Sequence, residues 1–304
     1  MTKSKVQGSG FAAYAELAKS GIVTLVLISV LGGYLAGQHF DAPFDFTRLL
    51  LTLFGILFLA SGSSALNQYQ ERVIDASMPR TAKRPLPSGR LTERAVLIFI
   101  GISLVLGLLL LSQISIAQLI LGLLAVASYN GLYTLWWKRH WAFAAVPGAL
   151  PGALPIWMGY AAASGEVFTP GGVYLFFLLF FWQMPHFWVL ALKYRKDYES
   201  GGFPTLPVAH GLGLTVSQIS VWCLAYVGIS LIAPLFMRVG IIYLIITPLM
   251  GLKLLWELRK FVKQPESKYW LHFFLWVNFS LIIYIAAAVI DLWSVYLIPF
   301  FTRG

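Results

Sequence analysis

Asn67, Glu71 and Asp75 follow one another at intervals of four residues. On a helix that spacing brings three oxygen-bearing side chains to one face, one above the other. Two carboxylates held so close repel each other unless positive charge lies between them. A hard divalent cation supplies that charge, and Mg2+ takes a few carboxylates together with substrate phosphate oxygens. Arg80, Lys83 and Arg84 come immediately afterwards, and such cations suit the same phosphates. A blander reading is an interfacial amphipathic helix with a solvated acidic face and ordinary loop charges. Any single residue fits that reading. The whole pattern, at the mouth of an apolar span and beside a basic cluster, points to a cation-and-phosphate site.

A second polar stretch runs from Lys193 through Tyr194, Arg195, Lys196, Asp197 and Tyr198 into a Gly/Pro-rich turn ending at Pro207. By itself it reads as a basic juxtamembrane patch with a neutralising acid. His186 follows Pro185 inside an aromatic, apolar run. An ionisable residue within a span is a functional candidate by default, the alternative being a hydrogen-bonded histidine lining a cavity. Residues 147–155 repeat proline and glycine. Proline bends a helix and small residues let helices approach, so this stretch reads as a kinked, closely packed span.

The elements that must position these residues are membrane helices. Of the 304 residues 59% are hydrophobic and 11% charged, where soluble domains run near 45–50% and about 25%. A bilayer core about 30 Å thick needs about 20 apolar residues in a helix. Nine such stretches are expected: 21–38, 49–66, 95–111, 116–137, 141–163, 173–192, 216–237, 239–255 and 269–290. Helices are the default because hydrocarbon satisfies no backbone N–H or C=O group, and runs such as 174–181 lack the alternation of a barrel strand. The expected fold is all-α, a polytopic membrane bundle forming a single domain over 1–304, with 1–20 as a cytoplasmic N-terminal segment. The run 21–38 reads as a first span and not as a removed signal peptide. The apolar tail 292–301 is too short to span and is expected at the outer interface.

Lysine and arginine fix the orientation. Sorting the connections by side puts 19 of the 22 Lys/Arg with the N-terminus, which makes that side cytoplasmic and leaves the C-terminus outside. The net charge of +10 is thus a topology signal, and nothing requires nucleic acid. Cys223, the single cysteine, allows no disulfide within the chain.

The first stretch resembles the signature N-x-x-x-[D/E]-x-x-x-D-x-x-M-x-R-T-x-x-R-P of the haem O synthase branch of the UbiA prenyltransferase superfamily, filled here by Asn67, Glu71, Asp75, Met78, Arg80, Thr81, Arg84 and Pro85. The second is similar to that branch's Y-x-x-D-Y segment ending in L-P, through Tyr194, Asp197, Tyr198, Leu206 and Pro207. Tyr133-Thr134 with Lys138-Arg139, and the run Trp182 to Phe187, resemble it too. The likeness reaches from the first span to the last. It implies transfer of the farnesyl group of farnesyl diphosphate to a vinyl group of haem B in the cell membrane, with Mg2+ as cofactor. It further implies Asn67, Glu71, Asp75 and Asp197 as metal-holding catalytic residues. Arg80, Lys83, Arg84, Lys138, Arg139, Lys193 and Arg195 would bind diphosphate; His186, Trp182, Gln183, Tyr194 and Tyr198 would contact haem. A neutral imidazole such as that of His186 is a common haem-iron ligand. A haem A synthase or an oxidase assembly protein is an expected partner beside membrane lipid. Two departures stand out: Lys193 replaces the acid that the wider superfamily has four residues before Asp197, and residues 140–146 differ from the usual Thr-Pro-Gln-Asn-like stretch.

Three alternatives compete. A relative that prenylates a quinone precursor or a chlorophyll-type ring would differ at Trp182–Phe187. A transporter or channel would carry charge deep inside several spans, which these spans almost lack. A haem-delivery protein would need no diphosphate site, so Glu71, Asp75 and Arg80 argue against it.

Overall fold

The structure, a computed structural model, describes residues 10–39 and 43–301, with side chains up to Ser294. Residues 1–9 of the expected N-terminal segment lie outside it. The described residues contain no strand. The helices are α1 (Gly10–Leu17), α2 (Ser20–Ala36), α3 (Phe46–Ser77), α4 (Glu93–Ser112), α5 (Ile116–Val126), α6 (Lys138–His140), α7 (Ala145–Ser164), α8 (Pro170–Lys193), α9 (Arg195–Ser200), α10 (Leu206–Leu231), α11 (Ile241–Lys263) and α12 (Tyr269–Phe301). A π-helical segment, Ala127–Trp137, links α5 to α6.

Each of the nine expected spans overlaps one of these helices, the one at 116–137 running from α5 into the π-helical segment, but the count by length and apolarity is lower. Among the described residues seven helices are long and apolar enough to cross a membrane, and α1 with α2, bent by 56°, makes an eighth. The helix outside that set is α7. Pro151 and Pro155 lie inside it, and its prolines and glycines lower its hydropathy. The tail expected at the outer interface continues α12 without a break through Phe301. Asp291 does not interrupt that helix, because its carboxylate is engaged elsewhere.

Local sequence sets several helix starts. Asp45, Thr92, Ser115 and Thr169 each accept a backbone N–H of the first turn of α3, α4, α5 and α8, the usual service of an N-cap side chain. Gly211 interrupts α10 at φ 77°, a left-handed conformation that glycine adopts at little cost.

Packing follows small residues. A Cβ added to Gly33 would collide with the carbonyl oxygen of Ile156, and one on Gly159 with that of Val30. The backbones of α2 and α7 therefore meet directly, as small residues permit in membranes. One apolar core gathers Leu178, Trp188, Tyr226, Phe261, Phe273 and Tyr284 from α8 and α10–α12. A second gathers Val30, Ile56, Leu111, Leu121 and Met158 from the N-terminal helices and α7. Large apolar residues such as Ile102, Val105, Leu244 and Leu252 are exposed and face outward from the bundle as a lipid-facing helix surface does.

Asp291 ties the two last helices together. Its carboxylate accepts from the backbone N–H of Gly240 (2.9 Å), Ile242 (3.2 Å) and Tyr243 (2.7 Å), so α12 supplies the N-terminal cap that α11 lacks in its own sequence. Asp291→Ala is expected to lower stability by about 2 kcal/mol, the upper end for loss of a cap, seen as a lower thermal midpoint in detergent. Asp291→Asn should lose less, because one amide oxygen still accepts.

Candidate active site

The acidic motif lies on the last three turns of α3, a single 32-residue helix. Asn67, Glu71 and Asp75 are all buried, Asp75 completely. The helix stops where proline dictates. Met78 precedes Pro79 and adopts an extended conformation (φ −99°, ψ 125°), as a residue before proline prefers. The Thr81 hydroxyl then turns back to donate to the Asp75 carbonyl oxygen at 2.9 Å.

Facing this helix runs the π-helical segment, and the two are joined one turn at a time. The Ser63 hydroxyl donates to Asn130 Oδ1. Asn67 Nδ2 donates to Thr134 Oγ1 at 3.2 Å, and Lys138 Nζ to Glu71 Oε1 at 2.6 Å. Each partner lies 67 residues on, so the helices run parallel in fixed register. A π-helical stretch is rare and tends to occur at functional sites.

Each buried carboxylate has a cation of its own. Lys138 serves Glu71, and Arg84 Nη1 reaches Asp75 Oδ2 at 2.6 Å. A third basic side chain comes from the α1–α2 bend, where Lys19 Nζ donates to Asn67 Oδ1 at 2.8 Å. Lys19 holds a left-handed backbone (φ 53°, ψ 51°), a conformation that non-glycine residues adopt mainly where surroundings impose it. The surroundings are visible: Gln68 Nε2 donates to the carbonyls of Glu16 and Leu17, and Arg90 pairs with Glu16 at 2.5 Å.

The second polar stretch closes on the first. Arg80 Nε stands 3.5 Å from Asp197 Oδ2, and its guanidinium covers the Tyr194 ring at 5.1 Å. A Cβ on Gly201 would stand 2.6 Å from Met78 Sδ, and Lys138 Nζ lies 4.4 Å from the Phe203 ring centre. Tyr129 and Tyr133 stack below with centroids 6.0 Å apart, and Tyr198 packs on Phe203. The other expected residues spread more widely. Lys83 and Arg195 are exposed, Lys193 stands over the Trp270 ring at 4.7 Å, and Arg139 has a buried Nε with no partner among the described residues.

His186 lies on the seam between α8 and α12. Its ring is 4.6 Å from Trp182 and 5.0 Å from Phe274, and Nδ1 is buried with no hydrogen-bond partner among the described residues. Trp182 is anchored by its indole N–H to the Val277 carbonyl at 2.9 Å. Gln183 turns toward α7 and donates to the Ala149 carbonyl at 2.9 Å, which makes it a tie between two helices.

The donor set fits Mg2+. It offers two carboxylates and an amide oxygen, and Asp75 Oδ1 is buried without a hydrogen-bond partner among the described residues. No group of three His, Cys, Asp or Glu side chains clusters among the described residues, so a cation here would need substrate oxygens to complete its shell, which is how Mg2+ is commonly bound. Sequence reasoning missed Lys19, Gln68, Asn130 and the role of Thr134. The signal for the last two was the spacing of Asn130, Thr134 and Lys138, four apart like the acidic motif, but its meaning depends on which helices pair. Lys19 looked like ordinary positive charge before a span.

Known proteins share this architecture. The sequence pattern of the UbiA prenyltransferase family matches residues 26–296. A protoheme IX farnesyltransferase of Bdellovibrio bacteriovorus is 46% identical over 92% of this chain and 96% of its own. One of Aquifex aeolicus is 40% identical over 86% and 89%. Among solved structures, one described as giving insight into digeranylgeranylglyceryl phosphate synthase superposes with a TM-score of 0.74 at 21% identity, covering 92% of this chain and 99% of that one. A UbiA homolog from Archaeoglobus fulgidus bound to GPP and Mg2+ gives 0.68 at 17% identity, covering 91% and 99%.

The Lys138–Glu71 pair gives a test of the electrostatics. Lys138→Met leaves Glu71 buried without its counter-charge and should cost about 3 kcal/mol, the scale for breaking one half of a buried pair. Adding Glu71→Gln should recover most of the loss. Thermal unfolding in detergent reads both, and equal losses in the single and double variants would contradict the pairing.

Proposed function

The chain belongs to the UbiA prenyltransferase family, and we propose that it transfers the farnesyl group of farnesyl diphosphate to a vinyl group of haem B, with addition of water, to give haem O. The observation that carries this reading is the buried Asn67–Glu71–Asp75 face, with Lys19, Lys138 and Arg84 each bonded to one of its members. The protoheme IX farnesyltransferases it resembles over most of their length support the acceptor.

Asn67, Glu71 and Asp75 would hold Mg2+, whose chemistry is to neutralise charge developing on the departing diphosphate. Lys138, Arg84 and Arg80 stand beside these residues and supply fixed positive charge where that negative charge grows. The C1–O bond of the substrate breaks and its electron pair leaves with the diphosphate. The allylic cation is sheltered by the ring faces of Tyr129 and Tyr133, a favourable environment for positive charge. The vinyl π electrons form the new bond to farnesyl C1. Water adds to the carbon left positive and loses a proton, giving the hydroxyethylfarnesyl group. Apolar walls keep other water from the allylic cation.

Haem B approaches from the α8–α12 seam, where His186, Trp182 and Phe274 form an aromatic face and Asn278 stands within hydrogen-bond reach of the imidazole. Asp197, through Arg80, joins the second polar stretch to the diphosphate side. The chain is a single catalytic domain and a multi-pass membrane protein. The Lys/Arg distribution supports a cytoplasmic site with the C-terminus outside.

Purified protein incubated with haem B, farnesyl diphosphate and Mg2+ should yield a pigment of haem O mass by mass spectrometry. Glu71→Gln and Asp75→Asn should each lower turnover at least about 100-fold, the scale for losing a transition-state electrostatic contact. Prenylation of an aromatic acid without any haem product would replace this reading with the quinone-type one. His186→Ala should weaken haem B binding and shift its absorption spectrum while leaving farnesyl diphosphate affinity nearly unchanged. An unchanged spectrum with unchanged affinity would remove His186 from the haem site.

A further inference from the structure

The structure assigns Thr134 the role of a positioning residue that fixes which end of the Asn67 amide faces the cation site. The inference rests on the metal-holding role proposed above for Asn67, Glu71 and Asp75.

Thr134 is fully buried and sits in the π-helical segment. Its hydroxyl donates to the Tyr129 carbonyl oxygen, five residues back, at 2.8 Å. A hydroxyl has one proton to give. With that proton committed, Thr134 Oγ1 can only accept from its other neighbour, which is Asn67. The amide must therefore present Nδ2 to Thr134. On its other side stands Lys19, whose Nζ donates to Asn67 Oδ1 at 2.8 Å. Thr134 demands this orientation by donor and acceptor chemistry alone, and the Lys19 contact agrees with it from the opposite side. Because a hard cation takes oxygen and not amide nitrogen, Thr134 is what keeps Asn67 an oxygen donor. Lys19 is only partly buried, whereas Thr134 is fully enclosed and has its proton committed. Gln70 and Asn130 extend the same fixation one turn away: Asn130 Nδ2 donates to the Ser63 carbonyl at 2.9 Å and Gln70 Nε2 to the Asn130 carbonyl at 3.1 Å.

The test measures metal binding without turnover. Mn2+ binding to detergent-solubilised protein with inorganic diphosphate is followed by electron paramagnetic resonance. Thr134→Val keeps the shape, removes the acceptor, and should weaken Mn2+ binding about tenfold, the scale of one lost buried hydrogen bond. Thr134→Ser, which retains the hydroxyl, should stay within about twofold. In an Asn67→Asp background both terminal atoms are oxygens and need no orienting, so adding Thr134→Val should weaken binding no further. Wild-type affinity in Thr134→Val overturns the inference. So does an undiminished effect of Thr134→Val in the Asn67→Asp background, which would mean that Thr134 acts through packing. If the valine variant does not fold, Thr134→Ala takes its place in both backgrounds. Unchanged Mn2+ binding in Asp75→Asn and Glu71→Gln would instead remove the metal site itself, an outcome separate from loss of the Thr134 effect alone.

Discussion

The arrangement depends on burying two carboxylates at the end of a membrane helix. Glu71 and Asp75 are almost wholly enclosed, and an unpaired charge in such a place is costly unless it is matched and hydrogen-bonded. The parallel, in-register pairing of α3 with the π-helical segment meets that demand. It places Lys138 opposite Glu71 by the same 67-residue step that places Thr134 opposite Asn67. Arg84 meets the remaining charge only because Pro79 ends α3 and the Thr81 hydroxyl folds the chain back over Asp75. A helix continuing past Ser77 would carry Arg84 away from Asp75.

The same constraint explains how the rest of the molecule is recruited. The α1–α2 bend delivers Lys19 in a left-handed conformation, and the neighbour of Asn67 in sequence, Gln68, holds that bend by two carbonyls. Adjacent residues on α3 thus face different ways, one toward the site and one toward the element that supplies its cation. Arg80 links to Asp197, and Met78 is covered by Gly201, so the second polar stretch is closed onto the first by one ion pair and one close contact. Lys193, standing where the wider superfamily has an acid, turns to Trp270. Asp197 in that stretch finds its charge partner in Arg80.

Below the polar mouth lie the two larger apolar cores, with α2 and α7 meeting by direct backbone contact. Gly159 of α7 makes that contact, while its Gly148 and Gly152 stand against Tyr133 and Gln183. The α8–α12 seam carries the aromatic face around His186. Trp182 and Gln183, adjacent in sequence, have their polar atoms fixed to different helices. Their shared membership in one short motif therefore hides two separate duties, one on the seam and one in helix packing.

The sequence by itself determined the fold class, the nine apolar segments and the spacing of Asn67, Glu71 and Asp75, because hydropathy and a four-residue step are properties of a chain read locally. Tertiary structure alone decided which cation serves which carboxylate, that Lys19 enters the site, and that Thr134 controls the Asn67 amide. Those pairings join residues 48 to 67 positions apart, except for Arg84 with Asp75, which waits on the turn between them. They arise from the relative register of packed helices, and no local pattern encodes register between helices separated by another span. Asp291 shows the same division. In the sequence it is a charge in an apolar tail; in the structure it is the missing cap of α11, because only packing brings a carboxylate on one helix to the free N–H groups of another.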